Sequence, residues 1–431
     1  MLGRLMRAPA ALAGALLLTT TATAALTLAA PAQAAPAQAD PLPPTAVAMG
    51  DSFISGEGAG GYVAVTDQSG VSQGFPGWAA DNSNPFFCHR SANASIQVAD
   101  LPGIAQRVNL ACSGAQPADM ASASSARPAG RTVAAQIDQL RQVAQTSDVD
   151  LVLLGLGSNN SQFTFGGVAA ECAGRFVADG YTGWWEVWIH FINWVTGTEL
   201  NEQACSDADF ATGAQIDAAR AETTAAVRQV LDVLDEVDAD GEHRIVLQDY
   251  TNPLPEAYAE QYLEEDGRRD TRDKYRALVD ERYAAGCPAD VDSLGPAHRF
   301  SQNLGTIVGG AAATLQAERP DADITYLDVQ HAFDGARLCE SPGSPANALA
   351  TPLRVMDGPS GVHVTSFGPF DKFDIKRVTD TCSDYYQTCQ ESWHPNVAGH
   401  QALGRCLSGA WAAGAPTVRC TRAPDGTIST S

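Results

Sequence analysis

Four short segments of this sequence carry residue types that together could cleave an ester. Ser52 lies in "GDSFISGEG", Gly114 in "NLACSGAQ", Asn159 in "GLGSNNSQF" and His394 in "ESWHPNVAG". A serine hydroxyl is a weak nucleophile and needs a base, which is usually histidine because imidazole titrates near neutral pH. The anionic tetrahedral intermediate needs N–H donors, which backbone amides and an asparagine side chain can supply. The four segments therefore suggest nucleophilic attack on a carbonyl.

Each segment also has a simpler interpretation. Gly-Asp-Ser is most often a turn, because glycine and aspartate favour turns. Pro395 and Asn396 after His394 could merely begin a helix. Asn159 could be an ordinary loop residue. Only the combination of the four segments favours the functional interpretation.

The elements that must position these residues alternate between strands and helices. The continuous apolar run at Asp150–Gly157 predicts a strand buried on both faces, and further strands are predicted at Thr45–Gly50, Arg107–Cys112, Arg244–Tyr250 and Asp323–Val329. Apolar residues at helical spacing predict helices, at Gly213–Val237, Arg272–Ala285, Asn303–Glu318 and Asn396–Trp411. This alternation predicts an α/β fold, a three-layer α/β/α sandwich around a doubly wound, mainly parallel five-stranded sheet. Ligands bind at the carboxyl ends of such strands, where Ser52 lies.

Composition narrows the class of partner. Of the 431 residues, 45% are hydrophobic and 18% are charged, which indicates a globular chain. Lys and Arg number 27 against 50 Asp and Glu, a formal net charge of −23. This acidity argues against nucleic acid or an anionic membrane as a partner held by charge.

The amino terminus has the layout of a secretory signal peptide. Arg4 and Arg7 precede a long uncharged apolar run, and Ala-x-Ala follows at 32–34 and at 37–39. A membrane anchor is the alternative, since the run is near spanning length, but its many Ala and Thr residues are only weakly hydrophobic. We predict a signal peptide and short linker over residues 1–39 and a single domain over 40–431. Export would make the protein extracellular.

An even number of cysteines fits an oxidising compartment. The ten are Cys88, Cys112, Cys172, Cys205, Cys287, Cys339, Cys382, Cys389, Cys406 and Cys420. Their connectivity cannot be deduced from sequence. Pairing sequence neighbours is the default hypothesis, which gives 88–112, 172–205, 287–339, 382–389 and 406–420. No spacing of Cys and His is typical of a zinc site.

In these four segments the chain resembles the SGNH, or GDSL, hydrolase family. The segments occur in the order of the family's four blocks and span Gly50 to Gly399. Cys88 in "FCHRS" and Cys112 in "NLACSG" are similar to cysteines of the secreted actinomycete-type branch of esterases and lipases. None of the four segments contains a Gly-x-Ser-x-Gly elbow, which argues against an ordinary α/β-hydrolase.

The resemblance implies a role for each residue. Ser52 would be the nucleophile and His394 the base. The oxyanion hole would consist of the backbone amides of Ser52 and Gly114 and the side chain of Asn159. Asp51 would be structural, with hydrogen bonds inside the turn. The other seven histidines match no block, and the resemblance implies no metal and no cofactor.

Two positions depart from the family. Asn160 stands where the family has aspartate, at a position that is not usually catalytic. Glu391 stands where the family has its acid, three residues before His394. Its carboxylate could orient the imidazole as the third member of a triad. A backbone carbonyl could do so instead, which would leave a Ser–His dyad.

Two regions exceed a minimal version of this fold, around residues 165–210 and 340–390. The first contains a group of tryptophans, Trp184, Trp185, Trp188 and Trp194. They could line an acyl pocket or meet a lipid surface. They could equally form a buried satellite cluster. The second insertion precedes the histidine segment and could form a wall of the same cleft.

These observations predict a secreted carboxylic-ester hydrolase of the esterase or lipase type that acts through a serine acyl-enzyme. The substrate would be a small-molecule or lipid ester, the protein would be a monomer, and contact with a lipid interface would be transient. A polysaccharide O-deacetylase of the same fold is one alternative. A secreted glycan- or lipid-binding protein without catalysis is the other.

Overall fold

The computed structural model describes residues 41–65, 72–73, 88–123, 133–165, 211–237, 243–257, 291–338, 340, 348–350, 356–357, 362–363 and 393–431. In chain order its strands are β1 (Pro44–Gly50), β2 (Ala64–Val65), β3 (Ser72–Gln73), β4 (Gln106–Asn109), β5 (Asp148–Gly155), β6 (Arg244–Gln248), β7 (Asp323–His331), β8 (Met356–Asp357), β9 (Val362–His363), β10 (Thr417–Arg422) and β11 (Ile428–Thr430). Its helices are α1 (Ser52–Ser55), α2 (Ser95–Val98), α3 (Gln136–Ala144), α4 (Gly213–Val237), α5 (Val291–Glu318) and α6 (Val397–Ala413).

The main sheet contains seven of the described strands in the order β11-β10-β7-β6-β5-β1-β4. All neighbours in it are parallel except β10 and β11, which are antiparallel. The predicted α/β fold with a mainly parallel sheet is confirmed, but the predicted number of five strands is wrong. The two additional strands, β10 and β11, extend the sheet at its carboxyl-terminal edge.

The strand order reverses at β1, which lies between β4 on one side and β5 on the other. The chain leaves β1 toward one edge of the sheet, returns, and then builds the opposite half. Such a reversal opens a crevice at the carboxyl ends of the two central strands. In this protein the crevice lies where β1 runs into α1.

Helices cover both faces of the sheet. Successive side chains of a strand point to opposite faces, and β1 is fully buried at every position from Ala46 to Met49. Two separate groups of helices provide this cover. Helices α3, α4 and α5 pack together, while α2 packs on α6. Both groups reach the sheet, because α5 and α6 each contact β7.

The helix predictions agree with the structure in most of the described chain. Helix α4 has the predicted bounds, and α6 begins one residue later than predicted because Asn396 is its N-cap. Helix α5 begins at Val291, well before the predicted start at Asn303. The helix predicted at Arg272–Ala285 lies outside the described residues.

Two predicted disulfides are confirmed, Cys88–Cys112 and Cys406–Cys420. The other six cysteines, the residues of the predicted signal peptide and the tryptophan-rich segment lie outside the described residues. Leu42–Ser431 form one compact unit. No helix in the described ranges is long and apolar enough to cross a membrane.

Two glycines let the ends of β1 and β5 meet backbone to backbone. Gly50 has φ of 126°, and a Cβ added to it would lie 1.9 Å from the carbonyl oxygen of Gly155. The side-chain amide of Gln136 binds both backbone groups of Gly50, accepting from its N–H at 2.8 Å and donating to its carbonyl at 2.9 Å. The loops that carry Ser52 and Asn159 therefore start from adjacent points.

We expect Gly50→Ala to destabilise the protein more than Gly103→Ala. Both glycines have positive φ, so either alanine costs about 1–3 kcal/mol of backbone strain. Gly103 faces open space, whereas the new methyl group at Gly50 meets Gly155 and adds about 1–3 kcal/mol of overpacking. Urea denaturation of the two variants measures the difference in the free energy of unfolding. Equal losses would contradict the close contact between β1 and β5.

Candidate active site

Ser52 and His394 meet at the crevice beyond β1. The Nε2 atom of His394 lies 2.8 Å from the Oγ atom of Ser52, although the two residues are 342 positions apart. Both are nearly buried, with 5% of Ser52 and 6% of His394 exposed. A hydroxyl and an imidazole at this distance can share the hydroxyl proton, which is the contact a nucleophile and its base require.

The turn that carries Ser52 is a single helical turn with a cap at each end. Asp51 is the N-cap of α1, and its Oδ1 atom accepts a hydrogen bond from the N–H of Phe53 at 3.1 Å. Gly56 ends the helix in the left-handed conformation, with φ of 99°. The sequence Gly-Asp-Ser at the start and Gly at the end thus gives a tight turn that places Ser52 directly after the strand.

Asp51 also binds residues outside its turn. Its Oδ2 atom accepts from the hydroxyl of Ser158 at 2.7 Å and from the hydroxyl of Tyr250 at 2.6 Å. The Tyr250 hydroxyl in turn accepts from the N–H of Ser158 at 2.9 Å. Burial, followed by the charge of Asp51, raises the pKa of Tyr250 well above its usual value, so this phenol remains a donor. Asp51 therefore links the ends of β1, β5 and β6, beyond the turn to which we predicted its hydrogen bonds would be confined.

The three predicted oxyanion donors belong to segments that are bonded to the Ser52 turn. Gly114 lies two residues after Cys112, whose N–H donates to the carbonyl of Gly50 at 3.0 Å. Asn159 is 6% exposed and follows Ser158, which binds Asp51. In the described part of the chain, neither the N–H of Ser52 nor that of Gly114 donates to a backbone carbonyl. No backbone carbonyl among the described residues therefore competes for these two N–H groups.

His394 is packed between aromatic rings. Its imidazole lies 4.6 Å from the ring of Phe53 and 6.0 Å from that of Phe165, measured between centroids. Trp393, directly before it, has φ of 64°. A bulky residue in this left-handed region is strained, and such strain is concentrated at functional sites. Packing and backbone geometry together fix the orientation of the imidazole.

Of the two departures from the family pattern, only Asn160 lies in the described residues. It is buried and binds its own loop, accepting from the N–H groups of Gln162 and Phe163 at 2.8 and 3.1 Å. Its role is therefore to shape the loop after β5. Glu391 lies outside the described residues, so its expected contact with His394 stays a prediction.

Sequence reasoning missed a buried polar group near Ser52 and His394. Glu57 is 0% exposed, and its Oε1 atom lies 2.5 Å from the Nδ1 atom of His89. Its Oε2 atom accepts a hydrogen bond from the hydroxyl of Ser113. His400 Nε2 lies 3.3 Å from the backbone oxygen of Glu57. A signal existed, because Glu57 interrupts a run of glycines, but no spacing connects it with His89.

Within the described ranges, no group of three or more His, Cys, Asp or Glu side chains could hold a metal ion. The residues at the crevice offer a nucleophile, a base and N–H donors. This is the set of groups that acyl transfer requires.

Comparisons with known proteins add no evidence about the activity of this protein. No protein-family model and no curated protein matches the sequence. Among solved structures, the chain is similar to an extracellular lipase from Streptomyces rimosus, at 18% identity over 85% of this chain and 99% of the lipase, with a TM-score of 0.40. It is also similar to phospholipase A1 from Streptomyces albidoflavus, at 17% identity over 86% of this chain and 99% of that one, with a TM-score of 0.40. Likenesses this distant carry no argument about activity, so the function must be inferred from the geometry of the site.

Proposed function

We propose that this protein is a secreted carboxylic-ester hydrolase that works through a serine acyl-enzyme. The observation that carries the proposal is the 2.8 Å contact between His394 Nε2 and Ser52 Oγ at the switch point of the parallel sheet. Two nearly buried side chains so far apart in sequence are held in hydrogen-bonding contact, which favours a chemical role over an incidental surface contact.

The reaction follows from the roles of these two groups. The Oγ atom of Ser52 attacks the carbonyl carbon of the ester while its proton passes to Nε2 of His394. When the tetrahedral intermediate collapses, the C–O bond to the alcohol breaks, and the imidazolium returns the proton to the departing oxygen. A water molecule then attacks the acyl-enzyme by the same proton route, releasing the acid and restoring Ser52.

The negative charge of the intermediate needs stabilisation during both steps. The N–H groups of Ser52 and Gly114, which no backbone carbonyl in the described residues occupies, are the proposed donors. The side-chain amide of Asn159 is the third. Each such donor contributes about 10²- to 10³-fold to turnover in enzymes of this type.

Export and substrate class complete the proposal. The amino-terminal sequence has the layout of a signal peptide, and two disulfides fit an oxidising compartment. The proposed substrates are uncharged or lipid esters, since a net charge of −23 opposes the approach of strongly anionic molecules. The alternative of a non-catalytic binding protein is decided by the reactivity of Ser52.

We expect Ser52→Ala to abolish both hydrolysis of p-nitrophenyl acetate and labelling by a fluorophosphonate probe. The fold should survive, because the one hydrogen bond seen for the Ser52 hydroxyl is the contact with His394. Ser408→Ala is the matched control, since its hydroxyl, toward the far end of α6, donates to the carbonyl of Gly404 and accepts from the N–H of Asp100. Residual hydrolysis within about tenfold of wild type would reject Ser52 as the nucleophile.

The group that orients His394 is tested by comparing Glu391→Gln with His394→Ala. Loss of the acid's charge costs up to about 10⁴-fold in triad enzymes. We expect only about 10- to 10²-fold for Glu391→Gln, because the longer side chain of a glutamate would make a looser hydrogen bond than aspartate and a backbone carbonyl could share the role. His394→Ala should cost far more, since the base itself is removed.

Values of kcat/KM for p-nitrophenyl acetate decide between the two arrangements. If Glu391→Gln matches wild type while His394→Ala is inactive, the site is a dyad. Equal loss in both variants would support a full triad and contradict the modest effect expected for Glu391. An active His394→Ala would reject His394 as the base.

A further inference from the structure

Glu57 is a fully buried carboxylate just beyond the helical turn that carries Ser52. Its backbone N–H donates to the carbonyl of Ser52 at 3.1 Å. Gly56 makes this placement possible: its left-handed backbone ends α1, and a Cβ there would lie 2.5 Å from the Cβ atom of Ser91. Burying an ionised carboxylate costs several kcal/mol unless hydrogen bonds and opposite charges compensate. The structure provides such compensation on both oxygens of Glu57.

One oxygen of Glu57 is bound to His89, which is itself held in place. The Nδ1 atom of His89 lies 2.5 Å from Oε1, and the His89 ring stacks on Tyr62 with 4.5 Å between centroids. His89 also has φ of 46°, the only non-glycine residue in the described chain besides Trp393 with positive φ. Bulky residues hold such a backbone only where their surroundings impose it.

The other oxygen connects Glu57 to the oxyanion segment, Ser113–Gly114, which carries a proposed oxyanion donor. The hydroxyl of Ser113 donates to Oε2, and Ser113 is followed directly by Gly114. The N–H of Gly114 lies in the peptide plane that Gly114 shares with Ser113, so its direction depends on how Ser113 is held. The carboxylate of Glu57 therefore fixes the residue that orients a proposed oxyanion donor.

Glu57 also lies near His394, because its N–H donates to the carbonyl of Ser52 and the Oγ atom of Ser52 contacts the imidazole. Burial on its own would raise the pKa of Glu57, but the charges of His89 and His394 and the hydrogen bonds from His89 and Ser113 bring it below the usual value. Attraction between two ionised groups is mutual, so a carboxylate stabilised by the imidazolium of His394 stabilises that imidazolium equally. The imidazolium forms whenever Ser52 transfers its proton.

We propose that Glu57 is a positioning residue for the ester hydrolysis, which holds Ser113 and Gly114 in place and provides a buried negative charge for the imidazolium of His394. This inference rests on the proposed function. No proton passes to Glu57 in any step, since the proton moves only among Ser52, His394 and the leaving alcohol or water. Glu57 does not touch the reacting atoms; it acts through Ser113 and Gly114 and through its charge, whichever group orients the imidazole.

Among the described residues, His89 and His400 contact Glu57, and the ionisable Arg90 directly follows His89. Burial lowers the pKa of His400 to about 4, so this residue is neutral in an assay above pH 5. Burial lowers the pKa of Arg90 to about 9, so its guanidinium, bonded to the carbonyls of Leu110 and Ala111, stays charged below pH 8. His89 and His394 are the groups whose titration must be separated.

Glu57→Gln is the variant that tests the charge. The amide keeps the shape of the side chain, and the Ser113 hydroxyl can rotate to suit it. A nearby negative charge raises the pKa of an imidazole, so its removal should move the acid limb of kcat/KM toward lower pH, by about one unit. The same lost interaction should lower the plateau of kcat/KM about tenfold, because one pKa unit and a tenfold rate change are equal in free energy.

The profile is measured with p-nitrophenyl acetate from about pH 5 to about pH 8, where an imidazole base titrates. A ¹H NMR titration of the imidazole separates the two histidines, with the His394 signal assigned by its absence from His394→Ala. Glu318→Gln is the matched control: it removes a carboxylate that pairs with Arg228 on the surface, and its acid limb should coincide with that of wild type. Ser113→Ala keeps the charge of Glu57 but releases the oxyanion segment, so it should lower kcat with little change in KM or in the acid limb.

A plateau that falls in Glu57→Gln while the acid limb and the His394 titration stay in place would overturn the electrostatic role. Wild-type activity in Ser113→Ala would overturn the positioning role, and it decides the matter if Glu57→Gln does not fold. Fluorophosphonate labelling of wild-type Ser52 distinguishes the two levels of inference. If wild-type Ser52 is labelled but the acid limb of Glu57→Gln does not move, only the role of Glu57 fails. If wild-type Ser52 is not labelled, the proposed function fails, and the role of Glu57 fails with it.

Discussion

The carboxylate of Asp51 is the interaction on which the site depends most. It is fully buried, and it accepts hydrogen bonds from Phe53 within its own turn, from Ser158 after β5 and from Tyr250 after β6. A buried carboxylate with fewer donors would be strongly disfavoured, so the three segments must converge on this one side chain. Ser52 and Asn159, each next to a member of this group, take their positions from it.

The parts of the fold that could be predicted from sequence are those in which burial on both faces leaves a continuous apolar run. Strands β1, β5, β6 and β7 are of this kind. Strand β10 alternates exposed and buried residues at its start and β11 has only three residues, so neither carries that signal. The early start of α5 was missed because Gly295 and Pro296 oppose a helix locally, whereas tertiary packing around Leu294 and Ala297 favours it.

The candidate site divides in the same way between local and long-range information. The segments around Ser52, Gly114, Asn159 and His394 each have a local composition that indicates a strand end or a helix start, and their order along the chain strengthens the pattern. The pairing of Glu57 with His89 has no such local signature. It arises because Gly56 ends α1 in the left-handed conformation and the N–H of Ser91 donates to the carbonyl of Ser55, which brings the His89 segment beside Glu57. Long-range contacts of this kind form only on folding and cannot be predicted from the spacing of residues in the sequence.

The Cys88–Cys112 disulfide lies between the two donors that bind Glu57, since His89 directly follows Cys88 and Ser113 directly follows Cys112. This one covalent bond therefore joins the two donors in a single cross-linked unit. In the reduced chain the same two donors sit on segments that move independently, and the entropy of bringing both to one carboxylate must be overcome separately. Formation of this disulfide thus lowers the entropic cost of assembling the candidate site as well as that of the fold.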